Sequence, residues 1–224
     1  MRQLIIFIVI AVIAVGATII LSGRDTILSS NTNQSTSTID TILKSSTTRV
    51  FTPKAVDDKT IETIIKTGIQ SPSARNLQPW HFSVVTNKDL IERINTDTLA
   101  AGEKEATKNP GKPSPPKDFH ALFHAPLVII ISADIDSPSS LFDAALACEN
   151  MSLAAQSLGL GTHISMSATM ALTGEKQEEY QKLLGIPNGK RAVAVLLVGE
   201  PANKDADAIS KATTRNAEVV TYNK

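Results

Sequence analysis

A chain of 224 residues, 42% of them hydrophobic and 11 of them proline, suffices for one substantial domain and is short for two. Lysine plus arginine equals aspartate plus glutamate at 22 each, so no net field favours nucleic acid or an anionic polymer, and any anion site must be local. The single cysteine, Cys148, excludes an intramolecular disulfide and a cysteine-rich zinc or iron–sulfur centre; set among apolar residues at helical spacing, it reads as buried and inert.

Residues 4–21 are 18 consecutive positions without a charge. At about 1.5 Å of rise per residue, a helix of that length just crosses the hydrocarbon core of a bilayer. The expectation for residues 1–22 is an uncleaved, single-pass transmembrane helix, with a cleaved signal sequence as the other reading. Arg2 and the free amine, set against Arg24, place the N-terminus in the cytoplasm and the domain outside. Residues 23–43 are rich in Ser, Thr and Asn and read as a flexible tether, in which Ile39, Ile42 and Leu43 offer one helical turn that could dock. The folded domain is expected over residues 44–224.

Asp57 or Asp58 caps a helix whose Ile61, Ile64, Ile65 and Ile69 recur at helical spacing and which ends near Gln70, before Pro72. His81 to Thr86 reads as a strand, and Asn87 caps a short helix through Ile94. Residues 95–124 are polar and rich in Lys, Asn, Gly and Pro, the composition of a mobile loop. Leu127 to Ile131 is an unbroken apolar run, expected at the sheet centre with both faces covered. Ser140 to Leu158 reads as a long helix, apolar over most of its surface and ended by Gly159 and Gly161. A strand around His163 to Met166, a helix around Glu175 to Leu184 and a strand from Ala192 to Val198 follow, with Val219 to Tyr222 as a further edge strand.

One segment stands apart, Ser71-Pro72-Ser73-Ala74-Arg75-Asn76-Leu77-Gln78-Pro79-Trp80. Its two prolines restrict the backbone on either side, and Ser73, Asn76 and Gln78 supply a hydroxyl and two amides that both donate and accept. Such a loop can grip the edge of a flat polar heterocycle, or it can be a polar helix-to-strand turn closed by a core tryptophan. The segment resembles the signature loop of the nitroreductase family of flavin enzymes. The resemblance continues in order through Thr47-Thr48-Arg49-Val50-Phe51, His124-Ala125-Pro126, Leu153 to Gly161, Leu184-Gly185-Ile186-Pro187, Val198-Gly199-Glu200-Pro201 and Arg215.

That resemblance implies an α+β, three-layer fold with a mixed central sheet flanked by helices. It implies FMN as cofactor, NADH or NADPH as electron donor, a small-molecule acceptor such as a nitroaromatic or quinone, and a homodimer with the flavin at the subunit interface. The loop residues Pro72, Ser73, Ala74, Asn76 and Gln78 would contact the flavin of the other subunit, Met166 and Ser167 would lie along its ring, and Ser45, Thr47, Arg49 and Arg215 would approach the phosphate. Guanidinium groups suit that task because their fork matches phosphate oxygens. Ser45 and Thr213 stand where the family carries basic residues, and Met166-Ser167 replaces a glycine-containing pair. The departures keep a non-catalytic or weakly flavin-binding relative open as the alternative, beside a dehalogenating or flavin-fragmenting one. No residue is assigned as a catalytic acid or base, since hydride transfer needs none. The histidines His81, His120, His124 and His163 show no metal-ligand spacing. The whole expectation is thus a membrane-tethered FMN oxidoreductase.

Overall fold

The computed structural model describes residues 38–109, 111, 116, 118–134, 136–202 and 219–221. Four strands, β1 (Trp80–Val85), β2 (Leu127–Asp134), β3 (Gly161–Ser165) and β4 (Lys190–Gly199), form one sheet in the order β1-β2-β4-β3. The two-residue period of β2 sends Leu127, Ile129 and Ile131 to one face and Val128 and Ile130 to the other. The first face packs on α2 (Asp58–Ile69) and α4 (Pro138–Ser157) through Ile64, Ala144, Cys148 and Met151. The second packs on α3 (Lys88–Lys108), α5 (Met170–Thr173) and α6 (Gln177–Leu184) through Ile94, Leu172 and Tyr180. Each such buried aliphatic side chain stabilises the fold by about 1.5–3 kcal/mol, so the central strand fastens both helical layers. The three-layer α+β arrangement is the expected one, and Cys148 is buried, its thiol pushed up to about 12 first by burial and then by Glu149.

Caps set the helix starts. Asp57 accepts from the Thr60 N–H at 3.0 Å, and Asn87 accepts from the Leu90 N–H at 2.9 Å. Asp97 on α3 accepts from Tyr180 Oη and Lys176 Nζ, both at 2.7 Å, which ties α3 to α6 and its N-terminal approach.

Several expectations are corrected. All three strand pairings are antiparallel among the described residues, where a mixed sheet was expected. An apolar run records burial and carries no strand direction. The helix begun by Asn87 does not stop at Ile94 but runs to Lys108, because Thr98 and Ala106 continue the buried stripe of Ile91 and Ile94 and the intervening residues include good helix formers. Beyond Asn109, the described residues 111, 116 and 118–124 lie in turns and irregular backbone. The long helix α4 is not covered all round: the apolar Leu141 and Phe142 are exposed, while the charged Asp143 is buried. At the start of the described chain, α1 (Thr38–Lys44) is helical and packs against α4, with Thr41 buried and Ile39, Ile42 and Leu43 facing outward. Val219, Val220 and Thr221 are not in a strand, and Tyr222 lies outside the described residues.

The membrane expectation is corrected as well. Among the described residues no helix is long and apolar enough to cross a membrane, so a single-pass anchor, a membrane partner and a tethered location have no support in the structure. Residues 4–21, on which that expectation rested, lie outside the described residues.

Candidate functional site

The loop between α2 and β1 is held in a strained shape. Three of its non-glycine residues have left-handed backbone, Arg75 at φ 52°, Asn76 at φ 57° and Gln78 at φ 47°. Side chains with a Cβ rarely adopt this conformation, and they persist in it only where the surroundings impose it. Inside the loop, the Asn76 N–H donates to Ser73 O at 3.0 Å, the Leu77 N–H to Ala74 O at 3.1 Å and the Gln78 N–H to Ser73 Oγ at 3.0 Å.

Three contacts from distant parts of the chain fasten it. Both carboxylate oxygens of Asp143 lie 3.2 Å from the Ala74 N–H; Asn150 Nδ2 donates to Ser71 Oγ at 2.8 Å; and Lys190 Nζ donates to Pro79 O. Ser71, Pro79 and Trp80 are buried, while Pro72, Arg75, Asn76, Leu77 and Gln78 are exposed and Ser73 and Ala74 half-buried. Gln78 Nε2 donates to Asn76 Oδ1 at 3.1 Å, so the two amides form one unit. What that unit leaves free is the Asn76 amide N–H donors, the Gln78 amide oxygen and the second Gln78 N–H. The unit therefore keeps both donors and acceptors exposed at the loop surface.

The arm from Ser45 to Phe51 is built differently. Its Ser46 N–H donates to Gln156 Oε1 at 3.2 Å, and Gln156 Nε2 donates in turn to Thr162 Oγ1 at 2.8 Å. The Thr48 N–H donates to Thr162 O at 2.8 Å, bringing Thr48 against β3. Gly161 permits this approach, since a Cβ there would lie 2.3 Å from Thr48 Oγ1. Behind the arm, His163 Nδ1 faces Thr48 O at 3.3 Å, and its ring lies on Phe123 with centroids 4.7 Å apart. Burial, with the charge of Arg49 beside it, holds His163 below the ordinary histidine range despite the contact to Thr48.

Among the expected site residues, Ser45 caps α1 through Oγ to Ile42 O at 2.9 Å, Thr47 is half-buried and Arg49 is exposed. Met166 and Ser167 are exposed just past β3, where Ser165 Oγ accepts from the Ala168 N–H at 3.2 Å and shapes the turn. Arg215 and Thr213 lie outside the described residues. The structure gathers the loop at the β1 edge of the sheet and the arm with Met166 and Ser167 at the β3 edge. Three strand spacings, roughly 14 Å, separate those edges within one chain.

Sequence reasoning missed the anchors Asp143, Asn150, Gln156 and Lys190, which no local pattern marks. It also missed a cluster of Glu92, His120 and His124, whose ligand atoms lie within 4.8 Å of one another. There, His120 Nδ1 accepts from the Leu122 and His124 N–H groups at 3.2 Å each, so Nε2 carries its proton toward Glu92, 3.2 Å away. The lone pair a metal would need is already occupied, and the cluster serves the turn that feeds β2.

The sequence profile of the Nitroreductase family matches residues 42–200, which is most of the chain. The chain belongs to the nitroreductase family. It is 28% identical over 161 residues to a putative NADH dehydrogenase/NAD(P)H nitroreductase of Archaeoglobus fulgidus, covering 70% of this chain and 80% of that protein. Its fold is similar to that of a nitroreductase with bound FMN from Bacteroides fragilis, with a TM-score of 0.73 and 23% identity over 84% of this chain and 99% of that one. It is also similar to an FMN-dependent nitroreductase from Clostridium difficile, with a TM-score of 0.65 and 26% identity over 84% of this chain and 98% of that one. Family membership places the strained loop and the arm in a fold whose solved members include FMN-bound enzymes.

Proposed function

We propose that this chain is an FMN-dependent oxidoreductase that takes hydride from NADH or NADPH and passes it to a nitroaromatic, quinone or similar small acceptor, as a homodimer. The observation that carries this reading is the amide unit of Asn76 and Gln78, held on a strained and fastened loop. Its exposed amide donors and acceptors can pair with a flavin pyrimidine edge, which presents acceptor, donor and acceptor. FMN, when bound, supplies the two-electron chemistry. The family resemblance would have Pro72, Ser73, Ala74, Asn76 and Gln78 meet the pyrimidine, Met166 and Ser167 lie along the ring, and Ser45, Thr47 and Arg49 approach the phosphate with Arg215, which lies outside the described residues. The exposed amides of Asn76 and Gln78 suit the pyrimidine and the exposed Arg49 guanidinium a phosphate.

The protein's part is binding, orientation and exclusion of water, with no side chain required to move a proton. The separation of loop and arm on opposite sheet edges supports a site completed by a second copy. The exposed Leu141 and Phe142 on α4 and the outward Ile39, Ile42 and Leu43 of α1 supply apolar surface for that contact.

The test is the visible spectrum of the purified protein with FMN, followed by anaerobic NADPH and, separately, NADH. We expect a bound-flavin spectrum that bleaches with one of the two donors. A protein that never acquires a flavin spectrum would refute the reading, and one that binds FMN without bleaching would leave it a binding protein only.

A further inference from the structure

We infer that Asp143 is a positioning residue for the flavin loop, acting through the backbone N–H of Ala74; this inference rests on the function proposed above. Asp143 stands in the second turn of α4 and is 3% exposed, on a helix whose other buried positions are mostly small or apolar. Among the described residues no Lys, Arg or His forms an ion pair with it. Its one hydrogen-bond donor among the described residues is the Ala74 N–H, shared between both oxygens at 3.2 Å. A carboxylate offers about four acceptor sites, and burying one with a single donor is costly. An alanine or leucine would suit the packing better, so stability alone does not account for a carboxylate here.

The contact matters because of the residues immediately after Ala74. Arg75, Asn76 and Gln78 are the three left-handed residues, and a backbone in that state relaxes unless its ends are fixed. Asn150, seven residues further along α4, fastens Ser71 on the near side of Pro72, and Lys190 fastens Pro79 at the far end. Asp143 is the contact between them, at the residue immediately before the strained stretch. With Ala74 held, the backbone that carries the paired Asn76 and Gln78 amides keeps its left-handed shape. The binding geometry is thus prepared before the ligand arrives, and the ligand does not bear the ordering cost.

A double-mutant cycle on the FMN dissociation constant, read by flavin fluorescence with the full chain, tests this. Asp143→Leu removes the acceptor, and Ala74→Pro removes the donor without touching α4; Ser73 already has the extended backbone that a following proline favours. We expect each single change to raise Kd about tenfold and the double change to raise it about tenfold again in total, not a hundredfold, because both delete one contact. Asp143→Asn, which keeps an acceptor oxygen, should stay within about threefold of wild type, and Asp143→Ala, which lacks one, replaces Asp143→Leu in the cycle if the latter does not fold. Additive losses, or a folded Asp143→Leu or Asp143→Ala variant with wild-type Kd alongside a wild-type protein that binds FMN, overturn the assignment and leave the proposed function standing. A wild-type chain that takes up no FMN overturns both.

Discussion

The loop from Ser71 to Pro79 and the arm from Ser45 to Phe51 are both irregular backbone fastened to α4, yet they are held by different means. The loop contains three left-handed residues and is fixed by a carboxylate at Ala74, an amide at Ser71 and an ammonium at Pro79. The arm has no residue with positive φ and is fixed by the neutral Gln156 amide, by strand-like hydrogen bonds and by close packing of Thr48 on Gly161. Strained backbone needs strong anchors because it must be held against its own preference, whereas extended backbone needs only shape and ordinary hydrogen bonds. The loop should therefore be sensitive to loss of charge and the arm to loss of space.

The largest effect is expected where space is taken from the arm. Gly161→Val would place side-chain carbon inside the present positions of Thr48 Oγ1, Cβ and Cγ2, all within 2.8 Å of a Cβ at that site. Overpacking of this kind costs about 3 kcal/mol, and urea unfolding should report it as a lower midpoint with an unchanged m-value. A loss under about 1 kcal/mol would mean that the arm gives way freely, which would break the contrast between the two segments.

A paired comparison sharpens the contrast from the side of charge. Lys190→Met removes an ammonium that donates to Pro79 O and also faces Asp134 at 3.3 Å, a loss of about 1.5–3 kcal/mol for a mostly buried charged donor. Gln156→Leu removes only neutral hydrogen bonds to Ser46, Ser152 and Thr162, about 1 kcal/mol by the same reasoning. Urea unfolding of both variants should rank Lys190→Met as the more damaging. The reverse order would show that the arm, and not the loop, carries the larger restraint.

The elements that carry a local pattern were legible in the sequence. Asp57 and Asn87 lie at the caps that their side chains suggest, β2 is central as its apolar run implies, and the loop from Ser71 sits where α2 gives way to β1. The length of α3 was obscured because its second half buries small and polar residues, Thr98 and Ala106, in place of large apolar ones. The anchors were illegible for a different reason. Asp143 is 69 residues from Ala74 and Lys190 is 111 from Pro79, so each looks like a surface charge until the chain is folded. Asn150 and Gln156 likewise sit in a helix whose composition suggested burial by apolar contact alone.

The smallest expected effect concerns protons, and it reaches both segments. His81 next to the loop, His120 beneath the turn before β2, and His163 behind the arm all titrate below the ordinary histidine value, with burial as the first cause in each. Lys190 adds to the lowering at His81, His124 at His120 and Arg49 at His163, while Glu92 and the Thr48 carbonyl work the other way. A histidine lowered in the folded state binds fewer protons there than in the unfolded chain, so stability is complete above about pH 7 and falls as pH drops through 6.5 toward the folded values. The lowered carboxyls of Asp57, Asp97 and Glu175 have the opposite origin and lose their contribution only below about pH 4, outside this window. The urea midpoint should thus fall between pH 7.5 and pH 5.5 without loss of the fold. His163→Asn, which retains a donor toward Thr48 O and removes the titration, should reduce that fall, and the part that disappears belongs to the arm. A fall of the same size in His163→Asn would assign the pH dependence to His81 and His120, away from the arm.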